Sequence, residues 1–345
     1  MRRGFSIGNW RPFASVGARI PTVGESATVE SRIGEASVGA HKERHRPPRP
    51  PRRPPSFARP LVILTPREQL IRSTLAIVAA LMFAFLLNIT VLGHVQHLAA
   101  QQQLSDTLRL QLAEGTAPVS EGDVDDVLLP DGAPVAVLDI PSIGVHEVVV
   151  EGTDSGSLRT GPGHRRDTVS PGQTGVSVIM GRAAAFGGPF AHLQQLAPGR
   201  KFTVITGQGK HRFEVMGLRY AGDPAPPPPE AGESRLILVT ARGLPYSPTG
   251  VAWVDARLVS EAQPPGARQT TFATLPLADS ALATDTSTVW ALVFALQFLV
   301  VVEIAAVWSF RRIGTRQTWI VFAPVVVLSG LLVTDQTVRL LPNLL

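Results

Sequence analysis

Residues 73 to 95, STLAIVAALMFAFLLNITVLGHV, contain no Asp, Glu, Lys or Arg. At 1.5 Å per residue, a helix of that length reaches about 34 Å, enough to cross the hydrocarbon of a bilayer. Two further apolar runs follow near the other end. One is VWALVFALQFLVVVEIAAVWSF, residues 289 to 310, whose single formal charge is Glu303. The other is TWIVFAPVVVLSGLLVT, residues 318 to 334, close to the shortest length that spans a bilayer (about 17 residues) and interrupted by Pro324. A chain built this way can place only its middle segment, its ends and one short loop in water.

The distribution of Lys and Arg predicts the orientation. Residues 1 to 72 hold 14 basic and 5 acidic residues, and the loop between the last two spans adds Arg311, Arg312 and Arg316. Both regions read as cytoplasmic. Residues 96 to 288 hold 14 basic and 20 acidic residues, so this large segment reads as extracytoplasmic despite a whole-chain charge of +5. A cleaved leader is disfavoured, because a basic region of this length exceeds any signal-peptide n-region; the first span reads as an uncleaved anchor. The chain has no cysteine, which excludes disulfides, thiolate metal sites and thiol nucleophiles within it. No nucleic-acid partner, cofactor or metal is expected. His146, His164, His192 and His211 have no pair at ligand spacing.

The first 72 residues read as a disordered tail, with the tract RHRPPRPPRRPPSFARP from Arg44 suited to extended polyproline II and to anionic lipid. After the first span, Leu104, Leu108 and Leu112 form one stripe of a short helix, read as a stalk. EGTAPVSEGDVDDVLLPDG then carries six acids and no base, and reads as a solvated linker completing residues 96 to 133.

From residue 134 to 261 the texture changes to short strands: PVAVLDI, HEVVVEG, TGVSVIMG, RKFTVITG, HRFEVMGLRY, SRLILVTA and VAWVDARLV. In the last, Ala252, Val254, Ala256 and Leu258 share one face. The turn TGQGK predicts a hairpin, and FAHLQQL a short helix. The expected fold is mainly β: a small barrel or sandwich with short helices, joined to three transmembrane helices. Residues 262 to 288 read as a Pro/Ala/Thr tether to the second span. Within the membrane, Asn88 and Gln297 fall at similar depths and are expected to pair across helices. Glu303, about 10 Å deep, is expected either at an interface with a partner's membrane helix or in a polar contact near the headgroups.

Four pieces in order, LDIPSIGV, VVVEGTDSGSLRTGPGH, PGQTGVSVIMGRAAAFGGPFAHLQQLAPGRKFTVIT and LILVTA, resemble the sortase family of membrane-anchored transpeptidases on the outer face of Gram-positive bacteria. The resemblance implies a β-barrel of about seven to eight strands. It also implies a cysteine at the end of the strand matching LILVT, a histidine after the strand matching SVIMG, and an arginine on the next strand. In such a site a thiolate attacks a threonine carbonyl in a sorting motif, an imidazole protonates the leaving amine, and a guanidinium stabilises the oxyanion.

This chain departs from the pattern where the chemistry resides. Gly181-Arg182 stands where the family reads Gly-His, and Thr240-Ala241 where it reads Thr-Cys. The stretch RLILVTARGLPYSP reads as a strand ending at Ala241 and Arg242 before a Gly/Pro turn. Neither Arg257 nor Arg242 falls where the family arginine is expected, near Gly250 or Val251.

Two expectations remain open. In one, the domain has no catalytic residue, and its groove binds an extended peptide or carboxylate through Arg182, Thr240, Arg242 and His164. Its partners would then be a surface protein, an active sortase or another envelope membrane protein. Arg182 is expected either near the old site or as an exposed loop charge. In the other, Thr240 or Ser247 acts as nucleophile with His164, His192 or His211 as base, which needs the pair within hydrogen-bond reach. His164 is expected in a structural hydrogen bond and His211 on the surface.

Overall fold

The computed structural model describes residues 65–345 except 124, 126 and 288. The basic Pro/Arg tail therefore lies outside the described residues up to residue 64. Three helices are long and apolar enough to cross a membrane: Thr74–Glu114, Val289–Ile313 and Gln317–Arg339.

Helix α1 (Pro66–Leu87) opens on a capping box. The Thr65 N–H donates to the Glu68 carboxylate at 2.8 Å, the Glu68 N–H donates to the Thr65 hydroxyl at 3.4 Å, and Pro66 takes the first helical position. These caps start the helix before residue 73, where apolar content alone placed it. A π-turn over Asn88–Leu92 passes directly into α2 (Gly93–Glu114), which ends at Gly115 with φ 72°. The stalk is docked rather than free. Leu108 is buried, Leu104 and Leu112 are half-buried, and the Gln101 amide grips one strand edge. Gln101 Oε1 accepts from Val148 N at 2.6 Å, and its Nε2 donates to Val148 O at 3.0 Å and Thr160 O at 2.8 Å.

Eight strands close a barrel: β1 (Pro134–Ile140), β2 (Val145–Glu151), β3 (Gly163–His164), β4 (Gly175–Met180), β5 (Lys201–Thr206), β6 (Gly209–Tyr220), β7 (Ser234–Leu244) and β8 (Ser247–Leu258). Their order around it is β1-β2-β3-β4-β7-β8-β6-β5. The β2–β3 and β4–β7 pairs are parallel and the others antiparallel. Side chains one residue out of every two fill the interior, among them Leu236 and Leu238 of β7 and Val254 and Ala256 of β8. The expected TGQGK hairpin joins β5 to β6, with Thr206 opposite Gly209. β3 escaped the sequence reading because two residues carry no period. FAHLQQL holds only a 3-10 turn, Leu193–Gln195.

The segments read as solvated linkers are fastened to the barrel. Glu121, in the acidic run, is buried and accepts the N–H groups of Gln269 and Thr270 at 2.9 and 2.7 Å, with Arg268 at 3.1 Å. Farther along the tether, Asp279 accepts from Thr153 N at 3.0 Å. These contacts correct the reading of Glu121 and of residues 266 to 279 as free in water. A carboxylate meeting two backbone N–H groups and a guanidinium is well compensated for burial.

Helices α3 (Val289–Ile313) and α4 (Thr315–Arg339) turn back on each other through Gly314, φ 105°. Pro324 lies inside α4 without ending it. Asn88 pairs with Thr334 of α4, Nδ2 to Oγ1 at 2.8 Å, and not with Gln297. Proximity across the bundle, rather than equal depth, selects the partner.

Candidate ligand groove

The β4 and β7 strands run side by side up to the end of β4: Met180 pairs with Val239, and Gly181 N donates to Val239 O at 2.9 Å. Arg182, just past the end of β4, and Ala241, two residues beyond Val239 on β7, therefore lie on adjacent stretches of chain. Gly181 is demanded by packing, since a Cβ there would stand 2.5 Å from the Phe190 ring.

Arg182 does not project into a groove, nor is it an exposed loop charge. Its side chain is fully buried. Nε donates to Leu158 O at 3.1 Å, one terminal nitrogen donates to Ser155 O and Oγ at 3.0 Å each, and the guanidinium lies 5.1 Å from the Phe186 ring centre. Phe186, held at φ 52°, also faces Arg159 at 4.9 Å. Burial, reinforced by the charge of Arg159, pulls the Arg182 guanidinium down to about 9. It is still a cation at neutral pH, committed to the 155–158 loop. Length explains the inward course: a residue long enough to reach Ser155 can satisfy carbonyls that a histidine at the same position would leave further away.

Thr240 is fully buried on the inward face and donates its hydroxyl proton to Gly181 O at 3.0 Å. It serves as a clasp between β7 and the turn after β4. Ala241 does not end its strand. β7 continues to Leu244, with Ala241 opposite Val251 and Arg242 opposite Gly250. Arg242 is exposed and stacks on Tyr220, 4.3 Å from the ring centre.

His164 lies apart from these residues. Its Nδ1 meets Glu151 Oε2 and its Nε2 meets Val169 O, both at 2.9 Å. Both partners are acceptors, so the imidazolium donates to each. Burial alone would lower its pKa, but the Glu151 carboxylate and the Val169 carbonyl outweigh it and the net value is raised. This is the structural hydrogen bond that the sequence suggested. His211 is buried, against expectation, with its ring against Gly172 and Nε2 3.1 Å from Thr206 Oγ1. Burial lowers its pKa.

Of the four groove candidates, then, Arg182 and Thr240 are fully buried, His164 lines a small separate recess of about 10 Å³ beside Glu151, and Arg242 is exposed. A cavity of about 220 Å³ lies beside it, lined also by His192, Gln194, Ala241, Tyr246 and Leu345. Gln194 links its walls, receiving the Tyr220 hydroxyl at 3.3 Å and donating to Ala241 O at 3.4 Å. Gln194, Tyr220 and Leu345 had no signal in the sequence, because only the barrel's closure gathers them. Among the described residues, no three His, Asp or Glu side chains come together as a metal site.

The architecture is that of a closed eight-stranded barrel carried by apolar helices, with a cavity where the ends of β4 and β7 meet the β7–β8 hairpin. Residues 138–264 match the family model "Sortase domain". Sortase D of Bacillus subtilis (strain 168) is 28% identical over 85 residues, 25% of this chain and 41% of that protein. The chain thus spans about two fifths of that relative's length. Similar solved structures include a Clostridium perfringens Sortase D5 transpeptidase, 20% identical, TM-score 0.39, covering 47% of this chain and 99% of that one. Sortase C-1 of Actinomyces oris is 26% identical, TM-score 0.31, covering 37% and 75%. Over residues 138–264 the barrel is thus similar to sortase domains.

Proposed function

We propose that this chain is a membrane-anchored, non-catalytic member of the sortase family that binds or organises cell-surface or envelope proteins. One observation carries the reading. Ala241 stands where the family places its thiol, in a chain without any cysteine. The surroundings support it: the Thr240 hydroxyl and both His164 nitrogens are already committed to buried partners, so neither offers a nucleophile–base pair. The ligand surface is the cavity beside Arg242, whose guanidinium suits a carboxylate or peptide carbonyl. Arg182 and Thr240 support that surface from beneath, and His164 braces the barrel away from it. In this reading the basic tail and the 311–316 loop face the cytoplasm and the barrel faces outward.

The test is incubation of the purified protein with threonine-containing sorting-type peptides and an amine acceptor. Mass spectrometry follows turnover, and a separate signal follows binding. Binding without turnover, weakened by Arg242→Ala, is the expected outcome. A covalent adduct or a ligated product would establish an enzyme using a hydroxyl nucleophile. Absence of binding would leave the barrel as a structural module.

A further inference from the structure

The outer face of β4, β7 and β8, which adjoins the cavity beside Arg242 through Ala241, is partly covered by the chain itself. Residues of β7 that point away from the core, Ile237, Val239 and Ala241, join Leu158, Val178 and Met180 in an apolar cluster. Three distant residues complete it: Ala281 and Leu282 from the tether before α3, and Leu344 from beyond α4. Leu344 has no exposed surface.

The covering segments are held by directional bonds. Ala183 N donates to Leu344 O at 3.0 Å and Ala185 N to Leu345 O at 3.3 Å, both from the turn that follows β4. Leu345 N donates to Pro342 O at 3.1 Å, closing the tail into a turn that presents Leu344 to the cluster. Asn343, fully buried, knits tail to tether: its N–H donates to Ala283 O at 3.0 Å, and its amide to Ser280 O at 3.1 Å and to Ala278 O. Leu282 sits at φ 59°, a conformation costly for a branched side chain and retained where surrounding contacts enforce it.

We infer that residues 341–345 and 280–283 form an intramolecular cap over the part of this face that adjoins the cavity, so that an extended peptide seated beside Arg242 continues along β7 only when the cap leaves. The inference rests on the peptide-binding reading for its biological meaning, while the cap stands on its own geometry. The tail follows directly from α4, whose Asp335 is tied to Arg159 of the barrel at 2.7 Å, so movement of that helix is transmitted to the cap. A capped site binds with an apparent affinity reduced by the fraction of open molecules.

The cysteine-free chain permits a direct test in membranes. Ala241→Cys introduces a single thiol under the cap, read by its rate of reaction with a membrane-impermeant maleimide. Ala256→Cys in the core and Ala221→Cys on the surface set the slow and fast limits. With the tail unaltered, the thiol at 241 reacts near the slow limit. Added Asn343→Ala or Leu344→Ser raises its rate about tenfold or more, as local opening requires, while the thiol at 256 stays slow and reports an intact barrel. Reaction at 241 near the fast limit with the tail unaltered overturns the cap, as does a rate that neither tail change alters. A synthetic sorting-type peptide is then added to the uncapped protein. Protection of the thiol supports both readings, whereas opening without protection retains the cap and removes the peptide.

Discussion

Ala241 on β7 stands opposite Val251 on β8. Where the family resemblance calls for a thiol on one strand and a guanidinium on the next, two apolar side chains face each other beneath a covering of Leu344 and Leu282. In the proposed non-catalytic reading, side chains suited to burial stand where the resemblance places a nucleophile and an oxyanion donor.

Restoring the thiol alone should therefore not restore transpeptidation. In Ala241→Cys the new group lacks an imidazole, since position 182 holds a buried arginine, and lacks a guanidinium at 251. No ligated product is expected by mass spectrometry with sorting-type peptide and amine. Turnover by this single variant would show that another residue supplies the acid and the oxyanion contact.

Arg182→Ala should destabilise the barrel by roughly 2–4 kcal/mol, because it leaves the Leu158 and Ser155 carbonyls unpaired and opens a cavity against Phe186. Thermal unfolding of the full chain in nanodiscs checks this. A melting temperature unchanged within a degree would mean that the guanidinium is not committed to the 155–158 loop.

The buried His164–Glu151 pair gives stability a pH dependence of known sign. The folded pKa of His164 is raised above 6.5, so the folded state holds its proton more tightly than the unfolded chain. The stabilisation is complete below about 6.5, declines as pH rises, and is lost above the folded value. His211, with a lowered value, acts in the opposite sense in acid. Melting curves taken upward from pH 6.5 should fall in the parent, and His164→Gln should flatten that fall. An equal slope in both proteins would remove the pair from the explanation.

Asn88 and Thr334 should couple. Their 2.8 Å hydrogen bond joins the first helix to the last, and such bonds in membranes contribute about 0.6 kcal/mol on average, up to roughly 1.7. In a double-mutant cycle of Asn88→Leu and Thr334→Val, the combined loss should be smaller than the sum of the two single losses. Gln297→Leu should add independently to Asn88→Leu, and coupling of those two would restore the pairing predicted by depth.

Glu121→Ala should release the tether from the barrel, because one buried carboxylate holds Gln269, Thr270 and Arg268. Protease cleavage between residues 262 and 275 should accelerate about tenfold or more, with the barrel itself still resistant. An unchanged cleavage rate would show that the remaining strap contacts suffice.

Apolar periodicity and charge placement located the three long helices, and short alternating runs located seven of the eight strands, because those signals are local. The absence of cysteine was equally legible, as were Arg182 and Ala241 at the positions where the resemblance places a histidine and a cysteine. Side-chain direction was not. Whether Arg182 turns outward or reaches Ser155, whether Glu121 meets water or two N–H groups, and which helix offers Asn88 a hydroxyl depend on residues tens to hundreds of positions away. The partly covered face is the clearest instance: Leu344 bears no mark of a ligand in the sequence, and only folding brings it to Ala183 and Met180. Covalent order and hydrophobic pattern determine which elements form. Desolvation and hydrogen-bond satisfaction, settled when the elements pack, decide which groups remain available for function.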